Sequence, residues 1–111
     1  MKILHIENEP DYVYFLKEGL EPFGIEIVNI DSPEDAIAHF AENSGTYDVI
    51  ICDGQPGILD GDDVVRALRS YNQHVPIVAQ SDFPQYIERM FKNGATWSVP
   101  RRIKNQEEFH K

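Results

Sequence analysis

Cysteine is almost missing from this sequence: Cys52 stands alone among 111 residues, which excludes an internal disulfide. Lying on a strand beside Asp53, it reads as an inert core residue rather than a redox centre. Basic side chains are also few, ten against nineteen acidic ones, and the formal net charge of −9 repels phosphate backbones and anionic lipid. Neither nucleic acid nor a membrane is therefore an expected partner, and Lys92, Arg101, Arg102 and Lys104 make too small a basic cluster to reverse that. No apolar run approaches the roughly 20 residues that a membrane-crossing helix needs. The first β-prone residues follow Met1 and Lys2 with no basic and apolar leader, so the cytoplasm is the expected compartment. Internal repeats, low-complexity tracts and interdomain linkers are missing too, and residues 1–111 are expected to form one domain around one core.

Against those scarcities, short apolar runs alternate with helical patterns along the whole chain. Residues 2–6 form a β-prone run, and the polar turn Glu7-Asn8-Glu9-Pro10 follows at once. Pro10 suits the first turn of a helix and Asn8 with Asp11 can form a capping pair. Val13, Leu16, Leu20 and Phe23 then recur at helical spacing up to Gly24. A second strand over 25–30 leads to Ser32-Pro33-Glu34-Asp35, which supplies an N-cap, a Pro at N1 and an acidic N3 residue. Ala36, Ile37, Phe40 and Ala41 form the buried stripe of that second helix. The third strand, 48–53, ends in Asp53 and breaks into Gly54 and Pro56. A third helix begins near Asp60-Gly61-Asp62-Asp63, whose carboxylates favour a helix N-terminus, and carries Val64, Val65 and Leu68. Strand four covers 75–80, and the fourth helix carries Tyr86, Ile87, Met90 and Phe91 before stopping at Gly94 in the C′ position. Residues 96–99 make a fifth strand, and the polar tail 104–111 holds at most two turns of helix.

Five strands alternating with helices predict a parallel sheet covered on both faces, an α/β flavodoxin-like (βα)5 doubly wound domain of strand order 2-1-3-4-5. The switch point of that order lies between strands one and three, so Glu7, Asn8 and Glu9 are expected beside Asp53 in one crevice, with Ser81 lining its other side. Converging carboxylates suit a hard cation held by oxygen ligands, Mg²⁺ in particular, and a carboxylate held against a metal can attack a phosphoryl group. Plainer roles compete for several residues. Glu9 can simply face solvent, and Ser81 is a common turn residue. His5, His39, His74 and His110 lack a metal-ligand spacing and read as surface or strand-end residues. Asp60-Gly61-Asp62-Asp63 lacks the alternating oxygen ligands of a calcium loop.

From Lys2 to about Ile103 the chain resembles the receiver domain of bacterial response regulators. The resemblance is carried by Ile6-Glu7-Asn8-Glu9-Pro10 after strand one and by Asp48-Val49-Ile50-Ile51-Cys52-Asp53, followed seven and eight residues on by Asp60-Gly61. Val75-Pro76-Ile77-Val78-Ala79-Gln80-Ser81 at strand four and the turn Gly94-Ala95 complete it. Each motif is weak alone; four in order at this spacing are specific. The resemblance implies transfer of a phosphoryl group to Asp53 from a histidine kinase or phosphotransfer protein. It implies Mg²⁺ held by Glu7, Asn8, Asp53 and the backbone carbonyl of Gln55, a switch hydroxyl at Ser81, and Arg101 pairing with the acyl phosphate. It also implies an output partner on the face of helix four, strand five and helix five, a homodimer being compatible with it, and no enzymatic activity beyond self-catalysed phosphotransfer and dephosphorylation.

The sequence departs from the family pattern where charge matters most. An Asp that binds the metal is Asn8, so metal affinity is expected to fall. The family Lys is Arg101, a planar fork that does not substitute conservatively for an ammonium, or is lost if a shift of one places Trp97 at the aromatic switch position. Asp82 follows the switch hydroxyl where a very small residue is usual, and its charge could oppose an incoming phosphate. A pseudo-receiver that binds partners without phosphorylation is therefore the second reading. An aspartyl phosphatase would want an Asp where Gln55 stands. A flavodoxin would want a Gly-rich phosphate loop where Glu7-Asn8-Glu9 stands.

Overall fold

A computed structural model describes residues 1–101. Five parallel strands, β1 (Lys2–Ile6), β2 (Glu26–Ile30), β3 (Val49–Asp53), β4 (Ile77–Gln80) and β5 (Trp97–Val99), form one sheet in the order β2-β1-β3-β4-β5. The crossovers carry α1 (Pro10–Leu20), α2 (Pro33–Glu42), α3 (Gly61–Arg69) and α4 (Pro84–Lys92). The expected flavodoxin-like architecture is what forms. The tail 104–111, and with it any fifth helix, lies outside the described residues.

Strand alternation divides the core into two layers. Leu4, Ile6, Ile50, Cys52, Ile77 and Ala79 point to one face and pack against Ala36 and Phe40 of α2, Val64, Val65 and Leu68 of α3, and Met90 of α4. Ile3, Ile27 and Ile51 point to the other face, where Leu16 and Leu20 of α1 cover them. Cys52 is fully buried. Burial and the nearby Asp53 and Glu7 charges push its thiol well above the ordinary range, which keeps it protonated and inert.

Local chemistry sets the helix ends. Ser32 Oγ accepts the Asp35 N–H at 3.3 Å, with Pro33 at N1. Gly94 takes φ +117° just past α4, the left-handed stop expected of it. Arg69, in the last turn of α3, donates to the carbonyls of Gly94, Val75 and Asn72, tying α3 to the connections on either side of β4.

Several expectations are corrected. The N-cap of α1 is Glu9, and no side-chain bond from an Asn8–Asp11 pair forms there. Phe23 is 80% exposed, because α1 ends at Leu20 and a 3₁₀ turn containing Pro22 swings the chain off the helical phase. Phe91 is likewise exposed, and Ile87 and Met90 carry the contact of α4. His5 is not a surface residue. It is fully buried in β1, on the Ile3 face, because a parallel strand covered on both sides has no solvent face to offer. Asp60 is the N-cap of α3 but makes no side-chain cap bond, so the acidic contribution to that helix comes from Asp62 and Asp63 in its first turn.

Candidate functional site

The sheet brings the two carboxylates together. Glu7 follows the last residue of β1, Asp53 is the last residue of β3, and Ile6 pairs with Cys52 in the ladder between them. Glu7 is completely buried and Asp53 is 5% exposed. Asn29 on β2 holds the Glu7 turn by donating to the carbonyls of His5 and Glu7 at 3.0 and 3.1 Å. The loop after Asp53 is folded tightly back, with the Gly61 N–H bonded to the Gly54 carbonyl at 2.8 Å. That turn is tight at Gly61, where a Cβ would lie 2.8 Å from the Asp53 carbonyl oxygen and force a shift.

Arg101, just beyond β5, enters this crevice. Its Nε donates to Glu7 Oε1 at 3.2 Å and its Nη2 to Glu7 Oε2 at 2.7 Å, a forked pair that adds charge to hydrogen bonding. Nε also lies 3.4 Å from Asp53 Oδ1. The guanidinium stacks 3.7 Å over the ring of Tyr12 from α1. Its backbone is fixed as well, since the Arg101 N–H donates to Asp82 Oδ1 at 2.9 Å. Burial alone would lower the guanidinium pKa, but the Glu7 bonds with the Asp53 and Glu7 charges outweigh that and hold it above its ordinary value.

Asp53 responds in the opposite sense. Burial raises its pKa and the neighbouring Glu7 charge adds to that, while Arg101 and the N–H groups of Gln55 and Gly54 pull it down; the result is about 6. Near neutral pH a substantial fraction is the carboxylate, the form a nucleophile needs. On the far side Ser81 is buried at the end of β4, and its Oγ accepts the Phe83 N–H at 3.0 Å. A Cβ on Gly54 would meet that Oγ at 3.2 Å, so the glycine lets the Asp53 loop approach Ser81 closely.

Among the sequence-derived site residues, Glu7, Asp53 and Arg101 converge in direct contact. Ser81 lines the same edge, adjoining Gly54. Asn8 is exposed and shares with Glu7 a cleft of about 350 Å³ on the α1 side, and Gln55 is exposed in the loop after Asp53. Trp97 is the first residue of β5 and is exposed. Sequence reasoning missed Tyr12, although it lies four residues before Leu16 on the buried face of α1. It also read Asp82 only as a repelling charge, whereas it anchors the Arg101 backbone.

A metal would meet a partly closed set. Oxygen donors are present, but both Glu7 oxygens already accept from Arg101, and Oε2 also accepts the Glu9 N–H at 3.1 Å. Among the described residues no three or more Asp, Glu, His or Cys side chains are grouped so that they could hold a metal ion. As arranged, the crevice does not fit a divalent cation.

A doubly wound sheet of this order, with two carboxylates and a guanidinium at its switch point and a hydroxyl just past the next strand, defines a flavodoxin-like α/β module with an acidic crevice at its ligand-binding edge. The chain belongs to the response regulator receiver domain family, whose sequence model matches residues 3–111. No curated protein matches it. Its fold is similar to that of a two-component response regulator from Clostridium difficile, 25% identical, with TM-score 0.81 over 99% of this chain and 90% of that one. Chemotaxis protein CheY4 of Vibrio cholerae is 20% identical, with TM-score 0.80 over 98% and 92% of the two chains. The receiver domain of a sensor histidine kinase from Pseudomonas aeruginosa, which has a magnesium ion coordinated in its active site cleft, is 21% identical with TM-score 0.81 over 98% and 91%. Among the described residues no helix is long and apolar enough to cross a membrane.

Proposed function

We propose that this chain is a receiver module that accepts a phosphoryl group on Asp53 and thereby changes a protein-binding face. The observation that carries the reading is the buried Asp53 carboxylate at the β3 edge, with Arg101 3.4 Å from it. In the reaction an Asp53 carboxylate oxygen bonds to phosphorus as the P–N bond of a partner's phosphohistidine breaks, and the electron pair stays on the ring nitrogen. Arg101, a planar fork suited to phosphate, turns from Glu7 toward the new acyl phosphate, and Ser81, whose Oγ accepts the Phe83 N–H, donates its O–H to a phosphoryl oxygen. The chain is then a phosphoacceptor rather than an enzyme acting on a separate substrate. One similar receiver domain coordinates magnesium in its cleft, but in this chain the bonds Glu7 already makes and the neutral side chain of Asn8 weigh against the ion.

The kinase or phosphotransfer partner must reach Asp53. An output partner finds exposed Phe91, Trp97 and Val99 on α4 and β5, beside a cleft of about 500 Å³ lined by Ser81, Pro84, Ile87 and Val99. The closed Glu7–Arg101 fork favours a second reading, a pseudo-receiver that uses this face without phosphorylation. Phosphate incorporation from a small acyl phosphate, with and without Mg²⁺, separates the two. Stoichiometric labelling that Asp53→Asn abolishes is the expected result. No labelling of the folded wild-type chain under either condition hands the function to the pseudo-receiver.

A further inference from the structure

We infer that Arg101 is a built-in cation of the acidic crevice, and that a divalent ion reaches Glu7 and Asp53 only by displacing it. The inference rests on reading these two carboxylates as the receiver's acidic pair, but not on phosphorylation itself.

Three kinds of contact hold the guanidinium against the two carboxylates. It bonds both oxygens of a completely buried Glu7, it lies within ion-pair distance of Asp53, and it stacks on Tyr12. The Asp82 bond to its backbone N–H keeps the chain beyond β5 directed into the crevice. Its side chain is only 21% exposed, so water screens the charge weakly. A guanidinium does not lose its proton in a protein, so the positive charge is permanent. Asn8 matters here because it leaves Glu7 and Asp53 as the carboxylates paired with the guanidinium. One guanidinium then offsets half the charge of that pair, and a divalent ion added beside it would set three positive charges against the pair's two negative ones. Arg101 must therefore leave Glu7 when the ion arrives. Tyr12 and Asp82 are positioning residues for this device, one by stacking and the other by fixing the backbone.

Metal titration without any phosphodonor tests this separately from Asp53 phosphorylation. Mg²⁺, and Mn²⁺ for its paramagnetic broadening, are titrated into the wild-type chain, Arg101→Ala and Tyr12→Leu while the amide signals of Asn8, Asp53 and Gly54 are followed. Arg101→Ala is expected to bind Mg²⁺ at least tenfold more tightly than the wild type, with Tyr12→Leu between them because it keeps the charge and loses the stacking. The Arg101 Nε–H signal of the wild type is expected to shift as Mg²⁺ saturates. The amide spectra report whether each variant is folded, and Arg101→Gln replaces Arg101→Ala if that one is not. Mg²⁺ binding that is equal in all three proteins, including none in any, overturns the inference. So does an Arg101 Nε–H signal that stays in place at saturation.

Discussion

Asp53 shows at the scale of one residue how burying a carboxylate costs stability. Its pKa is raised from 3.8 to about 6 in the folded chain, so the unfolded chain releases that proton first as pH rises. The contribution to stability is complete below about pH 3.8 and is lost as pH rises through 6. Asp53→Asn is therefore expected to raise stability by up to about 3 kcal/mol at pH 8, with the difference vanishing toward pH 4. Urea midpoints of the two proteins at both pH values check this, and a gain that is the same at pH 4 and pH 8 would contradict it. His5 tilts the curve the other way. Both of its ring nitrogens are buried with no hydrogen bond of ordinary geometry, and burial pushes the imidazole below its ordinary value despite the Glu7 charge and the nearby Gln80 side chain. Below about pH 6.5 the unfolded chain takes up a proton that the folded one resists, so stability falls as pH drops through that window. His5→Leu is expected to flatten that acid-side fall and to stabilise by about 1–2 kcal/mol through loss of an unsatisfied buried group. Denaturant curves from pH 7 to pH 5 decide it, since an unchanged slope with pH would assign the fall to other groups.

At the scale of elements, the site depends on connections more than on strands. A Cβ at Gly61 would press 2.8 Å from the Asp53 carbonyl oxygen and 2.9 Å from Met90 Sδ, and only the methionine end can move aside easily. Gly61→Ala is thus expected to cost about 1–3 kcal/mol, with amide shifts concentrated between β3 and the start of α3. A heteronuclear spectrum that moves elsewhere, or not at all, would reject the role given to this turn. The strands themselves were legible because each is an apolar run ending in a turn residue. The first strand and the last residue of every strand stand where expected, and the starts of the other four drifted by one or two positions because bordering residues still bond outside the regular ladder, as the Asp48 N–H does to the Lys2 carbonyl at 2.9 Å and the Val75 N–H to Asn72 Oδ1 at 3.0 Å. Strand order placed Glu7, Asp53 and Ser81 at one edge, since topology alone decides which strand ends are neighbours. Counting from Gly94 singled out Arg101, but it could not say that its fork closes on Glu7 over Tyr12. That contact joins residues about ninety positions apart and depends on the direction the chain takes after β5. His5 was misread for a simpler reason. A strand covered on both faces buries its middle whatever its polarity.

The whole molecule carries an excess of negative charge that its surface does little to balance. Nineteen acidic and ten basic residues give a net charge of −9, and the exposed ion pairs among the described residues, Lys2 with Glu26, Arg66 with Asp63 and Lys92 with Glu88, engage few of them. Exposed pairs of that kind contribute little, whereas like charges spread over a small domain repel one another in the folded state more than in the expanded one. The Arg101 cluster differs, its carboxylates being buried and its guanidinium mostly so, and it is weakly screened. Salt should therefore relieve repulsion at the surface without opening the crevice. Raising NaCl from about 10 mM to about 150 mM, which shortens the screening length from about 30 to about 8 Å, is expected to stabilise the chain by about 1 kcal/mol, or about 3–5 °C in Tm. The slope of the urea transition should stay constant, because the area exposed on unfolding does not change. The Arg101 Nε–H signal should keep its position throughout. A Tm that falls as NaCl is added would mean that attraction between surface charges outweighs their repulsion, and the net charge would then not be what limits the stability of this fold.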